Sequence, residues 1–328
     1  MSSAPATSPT PPATRRTRLL AMTLYVVALT AWSLTVGLPN DPPGVCVWMW
    51  LGTLCWRAAD PLGVSRAWWR DWWLPIVLLM TYALLRGFAD ETFMPLHVTE
   101  PITFDRWLTG GEQTPTELLQ QAWCGDPCLR DSPPRWYDTV VTTVYASHFW
   151  ACLGLAGVLW IVSRAEWVRW IRRYVAMNFA GLTIYFLYPM APPWMASRDG
   201  FIGPVTRITS RGWDEIGLER QSIIFGGLPN KVAAMPSLHA GFSFLLVLYA
   251  IQRLRSPARW LLLAYPLTMS AALVYTGEHY VVDAIAGALV ALLVLVGCEV
   301  WERRRAARRP AGEPARCPDD HPPATMEA

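Results

Sequence analysis

The apolar residues of this chain are gathered into blocks of roughly 15–25, the length that crosses a bilayer as a helix. The blocks fall at 18–38, 45–57, 72–88, 138–163, 174–188, 236–252, 260–276 and 280–301. A water-soluble globule with so many uninterrupted runs would not stay dispersed. Composition agrees: 53% of residues are hydrophobic and 16% charged, against about a quarter charged in soluble domains. The expected fold class is all-α, a polytopic membrane helical bundle of about eight transmembrane helices. The second block is short, and a re-entrant or interfacial piece competes for it.

Tryptophans interleave with arginines at block ends, as in "RAWWRDWWLP" and "AEWVRWIRRY", which suits an interfacial aromatic belt. Basic residues set the orientation. With a cytoplasmic N-terminus and eight spans, 19 of the 28 Lys and Arg fall on inner segments, and the short outer turns 39–44 and 277–279 hold none. This positive-inside pattern implies a multi-pass cell-membrane protein with both termini cytoplasmic. It also explains the net charge of +3 without a nucleic-acid partner. The first block reads as an uncleaved anchor.

Seven cysteines are too few for a disulfide scaffold. Cys124 and Cys128, in "AWCGDPCLR", fall in an outer loop, where an oxidising compartment permits a bridge. A metal pair is the alternative, but no nearby His or Cys completes a ligand set. Two long outer loops, 89–137 and 189–235, interrupt the spans. The first contains "TPTELLQQAW", an amphipathic helix capped by Thr116 or Thr114.

Polar residues from several blocks converge at the outer ends. His239 follows Pro236 in "PSLHAG", His279 and Asp283 open the last block, Arg86 closes the third, and "YPMAPPW" follows the fifth. His279 and Asp283 are four apart, so on a helix they share a face. The carboxylate can take the proton of one imidazole nitrogen, leaving the other nitrogen's lone pair for attack or base work. A solvated ion pair is the bland alternative, yet ionisable groups opening an apolar span default to function.

Helix starts at Pro236 and Tyr280 would each offer free N–H groups to an anion. Two such termini, each with a histidine, suit a phosphoryl group, while a metal held by His239, His279 and Asp283 is stereochemically conceivable. A capping role competes for His239. His148, mid-block in "VYASHFWAC", reads as a packing histidine, and His97 and His321 carry no assignment.

"PSLHAG" followed by "HYVVD" resembles the type 2 phosphatidic acid phosphatase superfamily, whose members share a six-helix membrane core. The "AMPSLH" form and the "YPMAPPW" turn bring it nearest to the inositol phosphorylceramide synthase branch. The resemblance covers residues 72–301, expected to be the catalytic membrane domain. It leaves 18–71 as an N-terminal transmembrane hairpin between disordered cytoplasmic tails, 1–17 and 302–328.

The resemblance implies that His279 is the nucleophile, forming a phosphohistidine, with Asp283 orienting it. It makes His239 the general acid and then the base. It implies membrane lipid substrates, an outer-face site, and neither metal nor cofactor. The activity would be transfer of a phosphoryl or phospho-headgroup, phosphoinositol among the candidates, from a lipid donor to a lipid alcohol. The rivals are a lipid or polyprenyl phosphate phosphatase and a non-enzymatic transporter or structural protein. No motif encodes the oligomeric state.

The chain departs from the superfamily pattern twice. The K-x6-RP motif is missing, and Leu273 stands where an arginine is expected. Other cations must meet the phosphate. Arg86 is the first candidate, with a salt bridge to Asp90 as its alternative role. Lys231, the only lysine, comes next, and Arg198 and Arg211 follow. Ser237, Tyr188, Pro192 and Trp194 lie in the two motifs and are candidate substrate contacts.

Overall fold

The computed structural model describes residues 12–39, 42–89, 94–214 and 232–308. Among these residues the chain is all-helical and forms no strand, with isolated backbone bridges at His97–Met190 and Met190–Ala233. The elements run α1 (Pro12–Thr35), α2 (Pro42–Trp56), α3 (Pro61–Phe88), α4 (Thr99–Thr109), α5 (Pro115–Trp123), α6 (Trp136–Val162), α7 (Arg164–Leu187), α8 (Pro193–Arg198) and α9 (Arg211–Asp214). Then come α10 (Leu238–Ile251), a 3-10 turn (Pro257–Leu263), α11 (Ala264–Tyr275) and α12 (Val281–Ala307).

Helices α1, α2, α3, α6, α7, α10, α11 and α12 take up the apolar blocks. By length and composition two stretches are fit to cross a membrane, Arg15–Thr35 and Val281–Ala307. A third qualifies if Trp136–His148 and Trp150–Val162, bent by 47°, act as one span. The others are short, with 15 residues in α2, 14 in α10 and 12 in α11, or carry charges, as α3 and α7 do.

Several boundaries differ from expectation, each for a local reason. α3 starts at Pro61 rather than 72 because Asp60 caps it, accepting the Gly63 N–H at 3.0 Å, and proline suits a first helical position. α7 begins at Arg164 rather than 174, under Ser163, whose hydroxyl accepts the Glu166 N–H. The block 260–276 splits because Pro266, in the first turn of α11, cannot donate and its ring opposes an α-helical preceding turn.

Helix also enters both stretches expected as tails, since α1 starts at Pro12 and α12 runs to Ala307. Glu302 is tied down by Arg172 and by Arg173 at 2.8 Å.

In "RAWWRDWW" the helical period divides the aromatics. Trp68 and Trp72, four apart, are fully buried and stacked at 5.4 Å, while Trp69 and Trp73 are exposed. Core filling thus explains one face of this stretch, and the other face is left exposed. The main core joins α2, α3, α6, α7, α10 and α12. No pair of helices packs more extensively than α10 and α12. Glycine permits the approach: a Cβ on Gly287 would lie 2.3 Å from the Ser237 carbonyl oxygen. The first turns of the two helices therefore lie side by side.

Candidate active site

The chain leaves α11 through Gly277, whose φ of 77° is open to glycine at little cost. The Glu278 and His279 N–H groups donate back to the Leu273 carbonyl, and the Leu273 side chain is fully buried. His279 therefore precedes α12 and does not share a helix face with Asp283 as expected; Tyr280 is the N-cap. The two meet because Asp283 folds back over the helix end. Its Oδ2 accepts the Tyr280 N–H at 2.9 Å and lies 3.3 Å from His279 Nδ1. Asp283 is wholly buried and His279 nearly so. With Nδ1 donating to the carboxylate, Nε2 keeps its lone pair.

A second carboxylate reaches the same helix end. Asp105, from α4, accepts the Val281 and Val282 N–H groups at 3.0 and 3.3 Å and is wholly buried. Burial pushes its carboxyl up to about 6, against the pull of those two donors. From sequence this terminus is an anion site, but the protein's own carboxylates already hold its amides. No motif marks Asp105, which lies far up the chain in a segment legible only as loop.

At α10, Ser237 is the cap, its Oγ accepting the Ala240 N–H at 3.3 Å. Pro236 precedes the cap rather than opening the first turn. The Ser237 N–H donates to the Asp283 carbonyl at 3.0 Å, tying the two helix mouths together. His239 is the second residue of α10. Its ring centroid lies 5.7 Å from that of His279, 4.8 Å from the stacked Tyr145 ring and 3.9 Å from His148. His148, read from sequence as packing, thus touches His239. Its one signal was a histidine inside an apolar block.

A family model described as the PAP2 superfamily matches residues 128–297, more than half of the chain. The chain belongs to the PAP2 superfamily. Its matched stretch contains His148, His239, His279 and Asp283, while Arg86 and Asp105 come from the preceding part. Phosphoinositol dihydroceramide synthase of Bacteroides thetaiotaomicron is 29% identical over 182 residues, 51% of this chain and 58% of that protein. The inositol phosphorylceramide synthase catalytic subunit of Schizosaccharomyces pombe is 31% identical over 136 residues, 39% of this chain and 31% of that protein. The inositol phosphorylceramide synthase of Candida albicans is 31% identical over 132 residues, 36% and 26% of the two chains. The matched part thus spans less than two thirds of each relative's length. No solved structure matches the chain.

Among the described residues, Arg86 and Arg207 are the cations to consider beside the histidines of this PAP2 protein. Arg86 stands in the last turn of α3. Asp90, its expected partner, and Lys231 lie outside the described residues. The second cation is Arg207, which no spacing pointed to. It pairs with Glu278, beside His279. The fold places it through Gln120 of α5, whose amide donates to the Thr206 and Tyr275 carbonyls at 2.7 and 2.9 Å and accepts the Thr206 N–H.

The remaining candidates separate. Trp194 donates its backbone N–H to the Gly277 carbonyl, and Arg198 and Arg207 lie over its ring. Tyr188 instead stacks on His97 at 3.7 Å, and Pro192 is a buried cap of α8. Ser237 is fully buried, with its hydroxyl spent on the cap. Arg198 is exposed and paired with Asp199. Arg211 is buried against Asp138 at 3.6 Å and donates to the Pro133 carbonyl, a structural role. Cys124 and Cys128 are joined as a disulfide, and Thr114 rather than Thr116 caps α5.

Proposed function

We propose that this PAP2 protein is an integral membrane lipid phosphotransferase that moves phosphoinositol from a phospholipid to a lipid alcohol of the dihydroceramide class. One observation carries the reading. His279, backed by Asp283, and His239 hold their ring centroids 5.7 Å apart, two imidazoles within reach of one phosphoryl group. The names of the relatives supply the headgroup and acceptor.

His279 Nε2 attacks phosphorus in line, the bond to the departing lipid oxygen breaks, and His239 gives that oxygen its proton. Asp283 holds the Nδ1 proton and balances the charge on the ring. His239 then takes the proton of the incoming hydroxyl as it attacks the phosphohistidine and the P–N bond breaks. Arg86 and Arg207 meet the charge on the phosphoryl oxygens.

All eight apolar helices span the membrane in this proposal, with both termini cytoplasmic and the histidines at the outer face. The distribution of Lys and Arg supports it. So does α3, whose Arg66 and Arg86 are about 20 residues and so roughly 30 Å apart, the thickness of the hydrocarbon core. The hairpin of α1 and α2 ends in the turn before Pro61, because a boundary at 71 would cut α3. Helices α3, α6, α7, α10, α11 and α12 form the six-helix core.

The test supplies purified protein in lipid nanodiscs with a phospholipid labelled in its phosphoinositol and with dihydroceramide. Label should move to the ceramide, and acid-labile phosphate should be trapped on His279 and vanish in His279→Ala. Release of label to water alone would refute the transferase reading, and turnover unchanged in His279→Ala would refute the enzyme.

A further inference from the structure

We infer that His148 is a positioning residue for His239, holding its ring and proton toward the departing oxygen; this rests on the phosphotransfer reading above. The first support is contact. The two rings meet edge to face, at 3.9 Å and 61° between planes. The second is the tautomer. A carbonyl only accepts, so His148 Nδ1, 2.9 Å from the Tyr145 carbonyl oxygen, must carry the proton. In the neutral ring Nε2 then carries a lone pair.

The third support is a clamp. Tyr145 lies one helical turn before His148 and stacks on His239 at 4.8 Å and 24°. The bond from His148 to the Tyr145 carbonyl fixes the His148 ring against the α6 backbone, and His239 lies against both α6 rings. Packing alone needs no imidazole: a phenyl ring would fill this place in an apolar helix without the cost of burying polar nitrogens. What the imidazole adds is an acceptor next to the residue that must hold a proton when the P–O bond breaks.

The step served is balanced. The electron pair of the breaking P–O bond goes to the lipid oxygen, which takes the proton of His239 and leaves as an alcohol. His148 gains and loses nothing.

The test uses the full chain in nanodiscs with two phosphodiester donors. One has an alkyl lipid leaving group. The other has a nitrophenyl leaving group, whose oxygen departs without a proton. With the first step read alone, as pre-steady-state release of the leaving group so that the later base role of His239 does not enter, His148→Phe should lose roughly 10–100-fold on the alkyl donor and less than about threefold on the aryl donor, as expected when general-acid catalysis is impaired. His239→Ala should show the same pattern more strongly. A structural role for His148 would lower both donors together, so equal losses, or unchanged alkyl turnover, would overturn the inference.

Each ratio is taken within one variant, so a partial loss of folded protein cancels. If His148→Phe does not fold, His148→Leu, which also lacks an acceptor, carries the same comparison. If His239→Ala shows no donor dependence, the general-acid reading of His239 itself fails. If His239→Ala shows it and the His148 variant does not, only the role of His148 fails.

Discussion

The mouths of α10 and α12 look alike in sequence, each a histidine beside the first turn of an apolar helix, but their amides are held differently. At α12, Asp283 and Asp105 accept the Tyr280, Val281 and Val282 N–H groups. At α10 the cap is a neutral serine hydroxyl, and no carboxylate bond to the first turn is found among the described residues. A helix N-terminus attracts anions, and the protein's own carboxylates have satisfied that attraction at one mouth. The α12 mouth is thereby a rigid holder for His279. A phosphoryl group between the histidines would have to rely on α10 and on arginine side chains.

The sharpest way to break this comparison is Asp283→Asn. The amide can still accept the Tyr280 N–H, but it cannot balance a charged His279. Turnover is expected to fall roughly 1000-fold, by the logic of an oriented imidazole, with thermal unfolding little changed. Turnover near wild type would remove α12 from the chemistry.

Asp105→Asn tests the other carboxylate through pH. Burial raises the Asp105 carboxyl from 3.8 to about 6 in the folded protein. Between those values the folded state binds more protons than the unfolded state, so stability falls as pH rises through that window and levels above it. A series of unfolding temperatures from pH 4 to 7 should show this slope in wild type and a flatter one in the variant. An unchanged slope would mean that Asp105 does not hold the α12 amides as a buried acid.

The smallest effect belongs to α10. Ser237→Ala should cost about 1 kcal/mol, the usual value of a lost N-cap, without altering the pH slope. A change in that slope on chemical denaturation would contradict the neutral character of this mouth.

Local chemistry was legible in the chain itself. The apolar blocks coincide with eight helices, because a helix that buries a face needs a run of such side chains, while two of them, or three with the bent pair, are long and apolar enough to cross a membrane. The spacing of His279 and Asp283 announced their contact, although the helix begins after His279 rather than before it. Caps were readable in part: Thr114 was one of two choices, while Asp60 and Ser163 start α3 and α7 in charged stretches outside the apolar blocks.

What tertiary structure decided was everything that depends on residues far apart in the chain. His148 meets His239 because α6 packs against α10; Arg207 pairs with Glu278, next to His279, in a segment that Gln120 of α5 clasps at Thr206; Asp105 holds α12 because α4 folds onto its end. No periodicity records such meetings, since each partner alone is an ordinary residue in a helix or loop. The sequence by itself determined where the long apolar helices lie and which two histidines stand at the mouths of α10 and α12. Packing determined which cations, which third histidine and which distant carboxylate surround them, because those contacts exist only once the helices have docked.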